Sequence, residues 1–386
     1  MRSSSTGQYF CWRQAVAPIV VATAAVLAGA APGVAHAQDS LAAATNPAGL
    51  VDLGNRLDVG LEIFTPRRGA SITGNAFGPD QSFDGSDTKR FYIPEFGYNR
   101  VLSPTLAAGV AVYGNGGMNT DYGTNPYARF MATGPAGINL EQLFIAPAVA
   151  WRFAEGQSVG LAVNLAYQTF EAKGISIFGM YSADPAHVSD NGTDSATGAG
   201  VRLGWQGSLG RHVTLGASWQ SKTYMSEFDK YAGLFADQGD FDIPETWTLG
   251  AAVKVTPKLT LLADFQHIAL SDIPAVGNSV SRLFAGQPLG SSNGPGFGWD
   301  DVDVLKLGVI YQATPRLTLR AGYSDLDQPI PPGETFFNIL APGVVEEHYT
   351  LGGSFAASLT TWIWIRRADQ HHAYMSESIS TYEPAT

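Results

Sequence analysis

One construction repeats along the chain: an alternating apolar/polar run, a short polar turn, and a second alternating run. In Lys306 to Asp325, KLGVIYQATPRLTLRAGYSD, Leu307, Val309 and Tyr311 share one face of the first run. Leu317, Leu319, Ala321 and Tyr323 share one face of the second. The construction recurs around Pro104, Gly156, Gly210, Pro257, Pro315 and Ser358. Successive side chains of a strand point to opposite faces, so each run has one apolar and one polar side. Repeated this often, the pattern suits a closed, antiparallel, all-β barrel with lipid outside and water inside.

Composition agrees with that reading. Charged residues make up only 15% of the 386, yet past residue 40 no apolar run is long enough for a membrane-spanning helix. The net charge of −11, with no Lys/Arg cluster, argues against nucleic-acid binding. Cys11 is the single cysteine and lies in the leader region, so a mature chain has no disulfide, thiol nucleophile or cysteine metal site. Arg2 and Arg13, the apolar stretch Ala15 to Ala31, and Ala35-His36-Ala37 form the three parts of a secretory signal. Residues 1–37 are therefore expected to be a signal peptide.

Twelve strands are expected, at 56–65, 91–100, 105–114, 142–153, 158–169, 198–207, 212–222, 245–255, 259–268, 302–312, 316–325 and 347–355. Short turns alternate with long connections, as in outer-membrane barrels. Parity turns Leu57, Val59, Leu61 and Ile63, Val159 to Tyr167, Val213 to Trp219, and Leu259 to Phe265 outward at alternate positions. It turns Asp58, Glu62, Asn164, Gln168, Arg202, Gln206, Gln220, Lys254, Asp264, Gln266 and Arg320 inward. A Lys or Arg facing lipid near midplane costs roughly 2–4 kcal/mol, so this segregation is what such a barrel requires. Trp151, Trp205, Trp219, Trp247, Tyr311 and Tyr323 fall outward and suit interfacial girdles.

The long connections are rich in apolar residues. Phe228, Tyr231, Leu234 and Phe235, then Leu283, Phe284 and Phe297, are candidates for capture of an apolar ligand; packing among themselves is the alternative. Catalytic signatures such as HExxH, GxSxG or a P-loop are absent, and His187, His212, His267 and His348 are scattered. Asp80, Asp84 and Asp87 lack the spacing of a calcium loop. No enzyme activity, cofactor or metal is expected.

Several segments resemble the FadL/TodX family of outer-membrane transporters for long-chain fatty acids and other hydrophobic compounds. They are AQDSLAAATNPAGL (37–50), PEFGYNR (94–100), VYGNGGMNTDYG (112–123), APAVAW (146–151), GDFDIPE (239–245), SNGPGFGWDDVDVLKLG (292–308), LRAGY (319–323) and FNILAPGVVEEHYTLG (337–352). The resemblance implies a fourteen-stranded barrel in a Gram-negative outer membrane, plugged by a small N-terminal hatch. Asn46, Pro47 and Ala48 match the family's hatch motif, which places the hatch at 38–54 and the barrel at 55–360. It further implies capture at the outer loops, passage into the lumen and release by hatch rearrangement. In characterised members an interruption of the third strand opens the wall sideways; Gly114, Gly116 and Gly117 could provide it, and plain loop access is the alternative. Arg202, Lys254 or Arg320 could pair with a carboxylate head group; pairing with lumen Asp58, Glu62 or Asp264 is the alternative.

Two departures stand out. Cleavage after Ala37 leaves a very short hatch, although Gly33 to Asp39 itself looks like hatch sequence. After Ser358, residues 361–386 read as an atypical polar tail, so strands thirteen and fourteen are expected to be missing through truncation or a frame change. The expected function is passive uptake of a hydrophobic small molecule, such as a long-chain fatty acid or an aromatic hydrocarbon. The expected form is a monomer in outer-membrane lipid, inserted by the barrel-assembly machinery. A general water-filled porin and a surface structural or receptor protein are the alternatives.

Overall fold

Alternation produces strands, and strands inside a bilayer must satisfy every backbone N–H and C=O sideways, which only a closed cycle does. The computed structural model describes residues 33–37, 39–74, 78–357, 360–369 and 373–383. Its main sheet has fifteen strands. Fourteen of them form a cycle: β1 (Asn55–Phe64), β2 (Phe91–Ser103), β3 (Leu106–Tyr122), β4 (Ala136–Ala154), β5 (Gln157–Lys173), β6 (Asp194–Leu209), β7 (Val213–Gln220), β8 (Thr246–Thr256), β9 (Leu259–Ile268), β10 (Val302–Thr314), β11 (Leu317–Leu326), β12 (Glu347–Ala357), β13 (Thr360–Asp369) and β14 (Ala373–Glu383). Each pairs antiparallel with the next, and β14 returns to β1 through Asn55↔Glu383 to Ile63↔Met375. The remaining strand is the two-residue Tyr224–Met225, which extends the outer end of β6.

All twelve expected strands are present, and β3 to β6 run well beyond their expected bounds. The expectation that strands thirteen and fourteen are missing is corrected: 360–369 and 373–383 are both strands. The physical reason is that a ladder is made by backbone groups. Residues 360–383 contain no proline or glycine to interrupt one, and β12 and β1 would otherwise each expose an unpaired edge.

Side-chain parity is as expected. Val59, Leu61, Leu161, Val163, Leu165 and Leu261 are exposed on the outside, whereas Asp58, Glu62, Asn164, Gln168, Arg202, Gln220, Asp264 and Gln266 are buried inside. Among the described residues no helix is long and apolar enough to cross a membrane; the strands do so instead.

Two large apolar cores, beside a small one of Ala35, Ala252 and Leu262, lie within the cylinder. The larger sits under the long loops and includes Tyr127, Phe170, Phe178, Phe228, Tyr231, Phe235, Phe241, Phe297 and Trp299. The smaller packs the N-terminal segment, Ala42 to Leu53, against Ala111, Tyr113, Phe144, Ala146 and Ala162 of the wall. Most of the signal-peptide expectation falls on residues 1–32, outside the described residues. Gly33 to Ala37 are described, and Val34 and Ala35 are buried with the hatch.

Candidate functional site

The hatch is two short 3-10 turns, Ser40–Ala44 and Pro47–Asp52. Pro47 supplies the φ that a first helical position requires, and Asn46 caps it, its Oδ1 accepting the Ala48 N–H at 3.1 Å. The Asn46 amide donates to Val34 O at 2.7 Å and to Trp205 O of β6 at 2.9 Å. One side chain thus shapes the turn, ties it to the preceding turn at Val34, and fastens both to the wall.

Further anchors surround it. Asp264 Oδ2 accepts from Gly33 N at 2.8 Å and Val34 N at 3.2 Å. Asp58, held by Arg56 at 2.6 Å, accepts from Ser40 N at 2.8 Å. Asn99 Nδ2 donates to Leu50 O and Gly54 O, Ser218 Oγ donates to Thr45 O, and Arg152 pairs with Asp52 at 2.5 Å. The wall makes room with glycine: a Cβ on Gly160 would overlap the Ala48 N–H, and one on Gly204 would overlap Asn46 Oδ1. Sequence reading located the motif but missed these wall acceptors, whose partners lie far away in the chain.

Outward of the hatch is a polar layer. Arg202 is buried; its Nη2 donates to Gln220 Oε1, which also accepts from Asn164 Nδ2 at 3.2 Å. Arg202 also lies within side-chain hydrogen-bonding range of Tyr113 OH; among the described residues Asn115 Oδ1, Asn164 Oδ1 and Gln168 Oε1 are buried without a protein partner. The other two expected lumen cations are placed differently. Arg320 donates to Ser354 Oγ and lies within electrostatic reach of Asp39 of the hatch. Lys254 is exposed at the short-turn end of β8, within electrostatic reach of His36 of the N-terminal segment. A lumen cation that went unassigned is Lys306, buried and donating to Gln266 Oε1 at 2.7 Å. Its parity opposite to Leu305 and Leu307 is the signal that finds it.

The loop residues separate into two groups. Phe228, Tyr231 and Phe235 are fully enclosed, with Phe170 packed edge-on to Tyr231 at 4.8 Å and to Phe235 at 4.7 Å. Leu234, Phe235 and Phe297 line a small cavity of about 40 Å³ together with Phe178 and Phe337. Leu283 is half-buried, and Phe284 stands 85% exposed at the tip of its loop. A latch not anticipated from sequence joins two loops: Trp299 Nε1 donates to Asn338 Oδ1 at 2.6 Å, and Asn338 Nδ2 donates to Phe297 O at 2.7 Å.

The wall itself is interrupted at the third strand. The β2–β3 ladder ends at Phe96↔Val112. Beyond it β2 stays paired with β1 as far as Phe91, and β3 stays paired with β4 as far as Tyr122. A register shift between Gly114 and Gly116 leaves Asn115 as a bulge, which turns β3 inward. A cavity of about 760 Å³ fills the resulting gap, lined by Ile93, Pro94, Gly114, Met118, Leu140 and Tyr167, with Glu62, Glu141 and Lys173 among its polar residues.

With this geometry in view, the chain can be compared with known proteins. Residues 15–363 match the family of outer membrane protein transport proteins described as OMPP1/FadL/TodX. The chain belongs to that family. No curated protein sequence matches it. Among solved structures it is similar to the Pseudomonas putida toluene transporter TodX, with 17% identity, a TM-score of 0.67, and coverage of 90% of this chain and 95% of that one. The Ralstonia pickettii toluene transporter TbuX gives 16% identity, a TM-score of 0.63, and coverage of 90% and 94%. A Pseudomonas aeruginosa FadL homologue gives 14%, 0.62, and coverage of 96% and 99%. At these identities the likeness speaks for the fold: this FadL/TodX chain is an outer-membrane β-barrel whose wall, hatch and loop cap have just been described.

Proposed function

We propose that this chain takes up hydrophobic small molecules passively, capturing them at the loop cap and delivering them sideways through the gap between β2 and β3. The observation that carries this reading is the interrupted ladder with its 760 Å³ cavity. Unpaired backbone inside a bilayer is costly unless it lines a cavity, so a break at this place is a built feature. The axial route is meanwhile filled by a hatch hydrogen-bonded to many strands, which disfavours the water-filled porin. A sideways outlet suits apolar cargo because the solute never re-enters water, a step that costs about 0.8 kcal/mol per CH₂.

The loop cap supplies apolar surface for the first contact, and Phe284 is the most exposed loop aromatic among the described residues. For cargo with a carboxylate, Arg202 is the cation best placed, since it is buried in the polar layer and its partners Gln220 and Tyr113 are neutral. Uptake of radiolabelled toluene and of oleate by cells lacking their own uptake channel is the test. Faster accumulation on expression of the chain, without an energy source beyond the gradient, is expected. Equal accumulation with and without the chain rejects the reading.

A further inference from the structure

We propose that Ile93 is the gate of the wall opening: its side chain, seated on the bare backbone of Gly114, shuts the gap between β2 and β3, and its displacement opens the outlet. This rests on the lateral route proposed above and deepens it.

Ile93 and Gly114 lie just beyond the last paired residues, Phe96 and Val112. No ladder joins them, so whatever closes the wall here must be a side chain. A Cβ placed on Gly114 would fall 2.7 Å from Ile93 Cγ2 and 4.0 Å from Ile93 Cβ. Any side chain at 114 would therefore push the isoleucine away, and glycine is what allows it to seat. Both residues line the cavity, so their contact stands within the passage.

The physics favours this contact as the moving part. A strand ladder opens only by breaking many backbone bonds in lipid, whereas one apolar side chain on a glycine separates by a rotamer change. Isoleucine, branched at Cβ, has few χ1 states, so the contact changes between discrete positions and not along a continuum. The aperture freed by the swing is about one side chain wide. It fits an unbranched alkyl chain or a single aromatic ring and resists a fused ring system.

The 4.0 Å separation falls within the range of about 3.5–4.5 Å that a disulfide requires, so the contact can be locked. The full-length I93C/G114C variant, with Cys11→Ser to leave a single thiol pair, is reconstituted into lipid vesicles and toluene uptake is measured oxidised and reduced. Oxidation is expected to slow uptake at least about tenfold, a barrier increase of about 1.4 kcal/mol, and reductant to restore it, with folded-barrel gel mobility unchanged. Unchanged uptake after oxidation, or a pair that does not oxidise, overturns the gate. Absence of toluene uptake by the wild-type chain as well rejects the transport reading beneath it, a separate outcome. As a second measurement, Ile93→Ala is expected to raise naphthalene uptake severalfold relative to toluene. An unchanged ratio counts against Ile93 as the width-setting residue.

Discussion

Asp39 sits where the hatch meets the β1 wall, its Oδ1 accepting the Leu41 N–H at 3.1 Å. Burial, and then the Asp58 carboxylate, push its pKa from the ordinary 3.8 up to about 6, against the pull of Arg56, the Leu41 N–H and Arg320. A docked hatch therefore holds this proton more tightly than a free one. Docking should weaken as pH rises through about 6 and strengthen as pH falls toward 3.8, with nothing gained below that. Hydrogen exchange across Ser40–Ala44, corrected for its intrinsic pH dependence, is expected to be slower at pH 5 than at pH 7.5, and Asp39→Asn should remove the difference. Equal protection at both pH values would refute the role of Asp39. At this scale Asn46-Pro47-Ala48 was legible because its cap geometry is local. The wall acceptors Trp205 O and Asp264 were not, because nothing near them in the chain signals a partner so far away.

At the scale of elements, strand faces were readable because parity is a property of one strand by itself. The break between β2 and β3 was only half readable: Gly114, Gly116 and Gly117 hinted at it, but register is a relation between two strands and is invisible in either alone. The last two strands escaped notice for a related reason. Their polar side chains argued against a lipid-facing pattern, while the ladder itself asks only for N–H and C=O groups and for two waiting edges. Deleting Ala373–Glu383 would strip β1 of its β14 partners from Asn55 to Ile63, leaving it paired with β2 alone, and leave β13 unpaired on one side. Each stranded backbone group costs several kcal/mol in hydrocarbon. The shortened chain is thus expected to lose its compact, heat-modifiable gel mobility and its protease resistance in detergent. Retention of both would mean that β14 is dispensable for closure.

For the molecule as a whole, the hatch decides what the cylinder transmits. Planar-bilayer recordings of the intact protein should show almost no steady ion current, where a general porin shows a large one. Gly204→Val is expected to change that, because its side chain would occupy the place of Asn46 Oδ1. Overpacking of this kind costs roughly 1–3 kcal/mol, falling here on the hatch and not on a β-branched residue's fit to its strand. Steady current from Gly204→Val with a barrel of normal gel mobility supports the plug; silence from it argues that the hatch is not what blocks ions. The plug's attachments also carry a message about assembly. Its bonds reach 159 residues along the chain to Trp205, 173 to Ser218 and 231 to Asp264. The first segment of the barrel protein to be made can therefore settle only after β9 is in position. Until then Asp264 waits without Gly33 and Val34, and Trp205 O without Asn46; a settled N-terminal segment is the chain's own certificate that its circumference has been completed.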